Sequence, residues 1–411
     1  MNILMISALD LWSMGGRGGS PSLYQTLKGY DERGHKVFFL TYQKGLLDPY
    51  YQQVGQASFR HVETCRFKLP LGRFGSTTGA SRPTAIRLSR FRRTFLFPPL
   101  AAVQARRILN REKIDLLYGY ELSGILALWF LGRLYRLPSV SRYQGTILHP
   151  FLGKPRELWR RFEHVAAMKV KADLYIMADD GTRGDVVLQA LNPAAQPRTR
   201  FWRNGLNKVS FQPCSSSEVR RNLGIGGCLL LLTVSRLHVW KRVDRIIRAL
   251  PSILARRDDV LLVILGDGPE RHNLQRLATE LGVADHIRFE GTVSHARVAD
   301  YLNAADIFVS LYDLSNVGNP LLEAMACGNC IVTLDDGSTE GLLEDGDSGV
   351  LLEPRRLDRL PEVILGLAAD RELRRRLGQG ARASADQHLW TWEERMQAEV
   401  EEVQKLLHAG T

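Results

Sequence analysis

The chain has 411 residues, 45% of them hydrophobic, and a formal net charge of +11. This length exceeds what one hydrophobic core usually supports, so we expect two domains. No apolar run reaches the roughly 20 residues that span a bilayer, and the start, MNILMISALDLW, lacks the basic residues of a signal peptide. We therefore expect a cytoplasmic protein. Five scattered cysteines exclude a disulfide framework.

The positive charge is concentrated in the first quarter of the chain. Residues 1–100 hold 14 Lys and Arg against 5 Asp and Glu, and in residues 66–100 the arginines alternate with Phe, Leu and Ile. Such a surface attracts anionic lipid headgroups, nucleic acid or phosphorylated acceptors. A solvated basic face is an equal alternative. No nucleic-acid-binding motif accompanies the charge, so we expect an anionic membrane surface as the partner, on the inner face of the cytoplasmic membrane.

Short apolar runs alternate with helical segments along the whole chain. In order, the runs are NILMIS, KVFFLT, IDLLYGY, PSVSRYQ and DLYIMA, then CLLLLTVS, VLLVILGDG, HIRFEG, DIFVSLY and CIVTL. Continuous apolar strands between amphipathic segments are typical of parallel sheets that helices cover on both faces. The sequence therefore predicts an α/β fold with two doubly wound, Rossmann-like domains in tandem.

Gly, Pro and serine residues interrupt this pattern at residues 204–219. We therefore place the first domain at residues 1–208, the second at 209–387 and a long helix at 388–411. In open parallel sheets, ligands bind beyond the carboxyl ends of the strands, so functional residues are expected in the loops that follow the strands.

The first strand leads into a glycine-rich turn, SMGGRGGSP, which contains Gly16. Glycines let backbone amides approach a ligand, and the helix start behind the turn favours an anion. The order is not GxGxxG, and the Lys and Ser/Thr of a P-loop are missing. A plain glycine loop remains the alternative. Later in this half, Arg142 and Gln144 end a strand and are expected to meet substrate. Glu121 either orients an acceptor or caps a helix.

Two cations, Arg236 and Lys241, follow the strand CLLLLTVS. Such a pair suits a diphosphate, because one fixed cation beside each phosphate stabilises a leaving group that gains charge. A solvated basic loop is the alternative. The next strand ends in Gly266, Asp267 and Gly268, a tight turn at the same edge of the sheet.

The segment SNVGNPLLEAMACG, residues 315–328, predicts a short helix. Asn319 is expected to be its N-cap, with Pro320 in the first turn and Gly328 at the end. The C-x-x-C that overlaps its end reads as a structural turn, because no second Cys/His pair stands at metal-ligand spacing.

The start of this helix is a candidate nucleotide site. The free amides of Leu321 and Leu322 would face a phosphate. The carboxylate of Glu323 suits the vicinal hydroxyls of a ribose.

The order RLHVWK, VILGDGPE, IRFEGTV, ADIFVSL, GNPLLEAMACG and EDGDSGVLLEP resembles the C-terminal domain of the retaining family-4 (group 1) glycosyltransferases of the GT-B fold. The first half agrees more loosely, through the GG near residue 15, ERGHKVFFLT, and WRNGLN where the family commonly shows PNGVD. The resemblance implies two domains with a cleft between them, an acceptor on the first, a nucleotide-sugar donor on the second, and a C-terminal helix that crosses back onto the first.

The resemblance also implies roles for single residues. Arg236 and Lys241 would contact the donor diphosphate, the backbone around Val293 would read the base, and Gly16 would approach the donor phosphate or the acceptor. The family transfers the sugar with retention, through an oxocarbenium-like state and without a bound metal. We thus expect the catalytic residues to be Arg236, Lys241, Gln144 and Ser315, and the donor to be held by Gly16, Gly266, Val293, Asn316, Gly318, Asn319, Leu321, Leu322 and Glu323, with no cofactor.

The sequence departs from the family near the donor sugar. The family has two glutamates eight positions apart, whereas here the first position is Ser315, with Asp313 two residues earlier. Nearby Asn316 and Asn319 can hydrogen-bond sugar hydroxyls instead. Gln144 stands where many members have a histidine, and YGYE (residues 118–121) replaces a frequent HxH segment.

The leading hypothesis is an enzyme that moves a sugar from a nucleotide-diphosphate sugar to a saccharide or lipid-linked acceptor, in cell-surface polysaccharide or glycolipid synthesis. A nucleotide-sugar-binding protein without turnover is the alternative that Ser315 and Gln144 motivate. Another GT-B enzyme, such as a nucleotide-sugar epimerase, has no specific support in the sequence.

Overall fold

The computed structural model describes residues 1–9, 21–43, 59–70, 88, 90–214 and 216–409. The chain forms two compact units. The first comprises Met1–Asp179, Arg183–Asn204 and Trp392–Thr411, and the second comprises Asp180–Thr182 and Gly205–Thr391. Both are α/β, as the sequence predicts.

The first unit contains a parallel sheet of seven strands. They are β1 (Asn2–Ile6), β2 (Lys36–Gln43), β3 (Val62–Lys68), β4 (Leu116–Tyr120), β5 (Ser139–Tyr143), β6 (Leu174–Ala178) and β7 (Thr199–Trp202). The strand order is β3-β2-β1-β4-β5-β6-β7. Strands β4 and β6 are buried at every residue, which explains their continuous apolar sequences.

Helices follow most of these strands. They are α1 (Pro21–Glu32), α2 (Phe97–Leu109), α3 (Glu121–Leu131), α4 (Pro155–Trp159), α5 (Phe162–Met168) and α6 (Gly184–Leu191), and a π-helical turn, Arg92–Leu96, leads into α2. Two apolar cores cover the two faces of the sheet. Alternate residues of β1 enter different cores, Leu4 one and Ile3 and Met5 the other, as the period of two in a strand requires.

The second unit contains a parallel sheet of six strands, β8 (Leu229–Val234), β9 (Val260–Leu265), β10 (Ile287–Gly291), β11 (Ile307–Ser310), β12 (Cys330–Leu334) and β13 (Val350–Leu352). The strand order is β10-β9-β8-β11-β12-β13. The helices are α7 (Ser216–Asn222), α8 (Asp244–Leu254), α9 (Arg271–Glu280), α10 (His295–Ala304), α11 (Asn319–Ala326), α12 (Leu360–Ala369) and α13 (Arg371–His388). The strand order reverses at β8, so the loops after β8 and β11 lie side by side at the edge where ligands bind in such sheets.

The last helix, α14 (Trp392–Ala409), belongs to the first unit. It packs against α1, where a Cβ at Gly29 would lie 2.5 Å from Cγ of Met396. The side chain of Glu399 on α14 is fully buried and accepts hydrogen bonds from Arg142, from Arg395 at 3.0 Å and from the Tyr118 hydroxyl at 2.6 Å. Burial alone would raise the pKa of Glu399, but Arg142 and Arg395 outweigh it and lower this pKa.

This buried ion pair corrects the expectation that Arg142 meets substrate. The Arg142 side chain is only 1% exposed, and its guanidinium is directed at Glu399. A guanidinium that is already paired and desolvated gains little by turning to a ligand, so Arg142 anchors α14 to the sheet.

Removal of the Glu399 carboxylate is expected to destabilise the first unit. Glu399→Ala leaves two buried cations without a counter-charge, which costs about 3–5 kcal/mol of unfolding free energy. The measurement is amide hydrogen exchange in peptides of β4 and β5, which reports this unit alone. Glu401→Ala, an exposed position of the same helix, is the control and should change stability by less than about 0.5 kcal/mol. Equal effects of the two substitutions would contradict a structural role for Glu399.

Candidate active site

The loops after β8 and β11 meet at the carboxyl edge of the second sheet. The amide of Asp313 donates to the carbonyl of Trp240 at 2.9 Å. The ammonium of Lys241 donates to the carbonyls of Ser315 at 3.1 Å and Leu314 at 3.4 Å. The fold thus places one predicted cation, Lys241, directly on the loop that leads into α11.

Lys241 is a cation without an ion pair among the described residues. Its ammonium lies 4.2 Å from the ring centroid of Tyr312 and otherwise contacts carbonyl oxygens. Burial lowers the pKa of Lys241 to about 8; the nearby Asp180 carboxylate opposes the shift and Arg236 adds to it. A partly desolvated ammonium with neutral oxygen partners is suited to bind an anion.

Arg236 is the second predicted cation, and its side chain is exposed with no hydrogen bond or ion pair to the rest of the described chain. Its charge adds to the lowering of the pKa of Lys241. The role of the two cations as a diphosphate-binding pair stays a prediction.

The glycine turn after β9 packs closely against the backbone of the residues on either side of Arg236. Gly266 has φ +123°, and a Cβ there would lie 1.9 Å from the carbonyl oxygen of Ser235. A Cβ at Gly268 would lie 2.4 Å from the carbonyl oxygen of Leu237. Both glycines therefore serve close packing of two loops.

Asp180 joins this site although the sequence prediction did not include it. Its carboxylate accepts hydrogen bonds from the Thr182 hydroxyl at 2.6 Å and from the Thr182 amide at 3.2 Å. Its carbonyl accepts from the amide of Val317 at 3.1 Å. Burial raises the pKa of Asp180, while the hydrogen bonds from Thr182 and the charge of Lys241 oppose this rise. The rule used for Arg236 would have found it, since ADDGT follows the buried strand β6.

Two non-glycine residues beside Lys241 have left-handed backbones. Arg242 has φ +45° and Ser315 has φ +63°. Arg242 is held by Asp244 and Asp313, each at 3.0 Å. Such residues cost about 1–3 kcal/mol each and persist where surrounding contacts fix them, often at active sites. Here the ion pairs of Arg242 tie the two loops together around Lys241.

Asn316 differs from the expectation that its amide meets sugar hydroxyls. The side chain is fully buried, its Oδ1 accepts from the amide of Tyr312 at 3.1 Å, and its Nδ2 donates to the Tyr312 carbonyl and to Asp336. These bonds occupy the amide, so Asn316 closes its own loop instead of facing a ligand.

The start of α11 also differs from the prediction. The N-cap is Gly318, so Asn319 and Pro320 are the first helical residues. The amides of Leu321 and Leu322, expected to be free for a phosphate, donate to the Gly318 carbonyl at 3.0 and 3.4 Å. Their side chains are buried. The expected phosphate contacts of Leu321 and Leu322 are therefore wrong.

Glu323 is buried in α11 and is bonded to His295 at the start of α10. Nε2 of His295 lies 2.7 Å from Oε1 of Glu323, and Oε2 has no hydrogen-bond partner among the described residues. Burial would lower the pKa of His295, but the hydrogen bond and charge of Glu323 outweigh it and raise that pKa. Glu323 thus keeps one oxygen for a hydroxyl donor. Val293, the predicted base reader, lies two residues before His295 and is half-buried.

The end of α11 forms the predicted structural turn. Cys327 is the C-cap, Gly328 has φ +72°, and Cys330 begins β12. Burial raises the pKa of each thiol to about 12.

In the first unit, Gln144 follows β5 and its Nε2 is buried without a hydrogen-bond partner in the described part of the chain. Tyr118 and Tyr120 are buried. The Tyr118 hydroxyl donates to the Glu399 carboxylate, and the Tyr120 hydroxyl donates to the Ser22 hydroxyl at 3.0 Å. Glu121 opens α3 with φ +62°. Of these four residues, Gln144 is the one with an unused donor. The expected contact of Gly16 lies outside the described residues.

Across the described ranges, no group of three or more His, Cys, Asp or Glu side chains could hold a metal ion. No helix in the same ranges is long and apolar enough to cross a membrane.

Comparison with known proteins decides the family. A family model described as "Glycosyl transferases group 1" matches residues 216–384. N-acetyl-alpha-D-glucosaminyl L-malate synthase of Bacillus anthracis is 34% identical over 300 residues, which is 71% of this chain and 75% of that protein. The chain belongs to the group 1 glycosyltransferases.

Two further comparisons agree with this assignment. A GDP-mannose-dependent alpha-(1-6)-phosphatidylinositol monomannoside mannosyltransferase of Mycobacterium tuberculosis is 26% identical over 329 residues, 76% of this chain and 82% of that one. The crystal structure of Anabaena HepE in complex with UDP-glucose has a TM-score of 0.71 at 20% identity and covers 98% of this chain and 99% of its own. This group 1 glycosyltransferase has the GT-B fold, as the sequence resemblance implies.

Gly266→Ala is expected to disrupt the site of this glycosyltransferase. The new Cβ would overlap the Ser235 carbonyl and strain a backbone with positive φ, so the turn and Arg236 must shift. We expect a fall of about 2 kcal/mol or more in unfolding free energy, measured by urea denaturation. Gly226→Ala is the control, because nothing lies within 4 Å of a Cβ there. A Gly266→Ala protein as stable as the control would contradict the loop packing.

Proposed function

We propose that this group 1 glycosyltransferase moves a sugar, with retention, from a nucleotide-diphosphate sugar to a saccharide or lipid-linked acceptor. The observation that carries the proposal is the pair Arg236 and Lys241 at the carboxyl edge of the second sheet. Arg236 has no partner in the described chain, and Lys241 has only neutral ones. A diphosphate supplies the two anionic groups that such cations lack.

The proposed reaction assigns the electrostatic work to these cations rather than to a bound metal. The bond between the anomeric carbon and the diphosphate oxygen breaks, and its electron pair stays on the diphosphate, whose charge Lys241 and Arg236 stabilise. The acceptor hydroxyl attacks the anomeric carbon from the same face. Its proton passes to the departing diphosphate, so charge and atoms balance. Gln144, whose buried Nε2 has no hydrogen-bond partner among the described residues, is the proposed donor to a sugar hydroxyl.

Glu323 is the proposed ribose anchor. Oε1 is fixed by His295 at 2.7 Å, so Oε2 is held ready for a hydroxyl. A carboxylate that is oriented by a partner binds with less entropy loss than a free one. Gly318 and Asn319 begin the same helix and lie beside this anchor in sequence.

The names of similar proteins suggest a class of donor and a class of acceptor. One is named for GDP-mannose and a phosphatidylinositol mannoside acceptor, and a similar structure contains UDP-glucose. We therefore propose a hexose nucleotide as donor and an acceptor in glycolipid or cell-surface polysaccharide synthesis.

Truncation of either cation is expected to impair transfer. Lys241→Ala and Arg236→Ala should each lower kcat/KM by about 10²–10³-fold, because each removes a charge that stabilises the leaving diphosphate. The assay is product formation from UDP- and GDP-hexoses with lipid extract as acceptor, with nucleotide binding measured in parallel.

Arg276→Ala removes an exposed cation from α9 and should leave kcat/KM unchanged. Unaltered turnover in the Lys241 and Arg236 variants would overturn the site. Nucleotide binding by the wild type without product from any donor would favour a binding protein without turnover.

A membrane partner for the first unit is supported by an exposed aromatic and basic surface, which we call the aromatic patch. Phe91, Phe95 and Phe162 form it. The ring centroids of Phe91 and Phe95 are 5.1 Å apart, and those of Phe95 and Phe162 are 5.5 Å apart. Each ring is more than 40% exposed, and Trp159 nearby in sequence is 78% exposed. The surrounding segments, RFRRTF and KPRELWRRF, hold seven Lys and Arg against one Glu.

Aromatic rings among cations are the composition of surfaces that lie on anionic bilayers. The aromatic patch therefore supports the proposal of a membrane partner that the sequence based on residues 66–100. Residues 71–87 and 89 of that range lie outside the described chain.

Phe91→Ser with Phe95→Ser is expected to weaken binding to phosphatidylglycerol vesicles by about tenfold or more, since two rings leave the interface. Co-sedimentation at low and high salt measures this, and high salt should also reduce binding. Val209→Ser, at an 81% exposed position in the second unit, is the control. Wild-type protein that fails to sediment at low salt would contradict the membrane proposal without touching the sugar-transfer proposal.

A further inference from the structure

Glu323, the proposed ribose anchor, takes its orientation from a histidine on a neighbouring helix. The Glu323 side chain is almost fully buried in α11. Its Oε1 lies 2.7 Å from Nε2 of His295, the first residue of α10. A glutamate side chain has several rotatable bonds, and a bond to one of its oxygens selects one direction for the other oxygen.

The chemistry of the two groups determines which atom donates in this bond. An ionised carboxylate only accepts hydrogen bonds, so Nε2 of His295 carries the hydrogen. A neutral imidazole with its hydrogen on Nε2 meets this condition, and so does the imidazolium. Nδ1 has no hydrogen-bond partner among the described residues. The bond to Glu323 therefore persists in both charge states of the ring.

Phe211 supports the imidazole ring from the segment that opens the second unit. The ring centroids of Phe211 and His295 are 5.1 Å apart, with a tilt of 57° between the ring planes. Phe211 is itself buried and fixed, because its amide donates to the Asn207 carbonyl at 3.0 Å and its carbonyl accepts from Arg382 at 3.4 Å. The imidazole thus has a packing contact on its ring and a hydrogen bond to Glu323 at Nε2.

We propose that His295 is a positioning residue that gives this glycosyltransferase a preference for ribonucleotides. Supported by Phe211, it holds Oε1 of Glu323, so that Oε2 meets the vicinal hydroxyls of the donor ribose. Without the imidazole the carboxylate has more orientations to lose on binding, and the hydroxyls gain less from it. The inference rests on the proposed function, because it needs Glu323 to be the ribose anchor.

The competing role is a structural tie between α10 and α11. Loss of such a tie lowers the unfolding temperature but does not change the choice between two nucleotides that differ only in the ribose hydroxyls. The preference for the ribose is therefore the quantity to measure, with the unfolding temperature of each variant recorded beside it.

The test uses calorimetric titration of the full-length protein with UDP, GDP and their 2′,3′-dideoxy forms. The readout is the ratio of the dissociation constants of the dideoxy form and the natural nucleotide, for the base that binds more tightly. Hydroxyls that donate to a carboxylate should give the wild type a ratio of about tenfold or more. We expect His295→Ala to reduce the ratio to about twofold, because Glu323 remains but is no longer oriented.

Two matched variants separate the donor atom from the loss of a histidine. His295→Gln places an amide Nε2 within reach of Glu323 and should keep most of the ratio. His272→Ala removes an exposed histidine of α9 and should leave the ratio at the wild-type value.

A double-mutant cycle tests whether His295 acts through Glu323. Glu323→Ala should lower the ratio by itself, and the addition of His295→Ala should then have no further effect, because the group that the imidazole orients is gone. A nucleotide-free readout is the pH titration of the His295 ring by NMR. Burial would lower the pKa of His295, but the hydrogen bond and charge of Glu323 raise it, so the ring should titrate at lower pH in Glu323→Ala.

An unchanged ratio in His295→Ala overturns the proposal. So does a ratio in His295→Gln as low as in His295→Ala, or an equal further fall when His295→Ala is added to Glu323→Ala. A wild type that binds the dideoxy forms as tightly as UDP and GDP also overturns it, while donor binding itself stands. Failure of the wild type to bind any of these nucleotides overturns the proposed function instead, and the ring titration still tests the bond between His295 and Glu323.

Discussion

The geometry of the proposed donor site depends on one contact, which joins the loop after β8 to the loop after β11. Lys241 on the first loop donates to the carbonyls of Leu314 and Ser315 on the second. Further bonds fix this contact. Arg242 and Arg245 form ion pairs with the Asp313 carboxylate, and the amide of Asp313 donates to the carbonyl of Trp240. A parallel sheet whose order reverses at β8 brings these loops together at its carboxyl edge.

The same constraint explains where the molecule tolerates strain. Arg242 and Ser315 hold left-handed backbones on either side of Lys241, and Gly266 and Gly268 remove side chains where the neighbouring turn approaches. The first unit solves a different problem. There a buried carboxylate, Glu399, fixes the last helix to the sheet through Arg142, a residue near the end of β5 that the sequence predicts to meet substrate.

The sequence predicts ten of the thirteen strands in the part of the chain that the structure describes, because buried strands of parallel sheets are continuous apolar runs. The three it misses, β3, β7 and β13, lie at the edges of their sheets, where half-exposed strands such as VETCRFK have no such run. The places of Arg236 and Lys241 are predicted because a strand end suffices to locate them, and that of Glu323 because Pro320 and Gly328 mark the ends of its helix, whereas the donor contacts of all three stay predictions. Asn316, Leu321 and Leu322 are not, since an amide's partners depend on local loop geometry. Asp180 follows β6, so the same strand-end rule covers it, although the sequence prediction did not include it.

The central claim is that Arg236 and Lys241 recognise a diphosphate. Calorimetric titration of the protein with UDP, UMP and uridine, and with the guanosine series, tests it most directly. The account predicts that one of the two diphosphates binds at least about tenfold more tightly than its monophosphate, with a difference that shrinks as salt rises. Equal affinity for diphosphate, monophosphate and nucleoside in both series would contradict it.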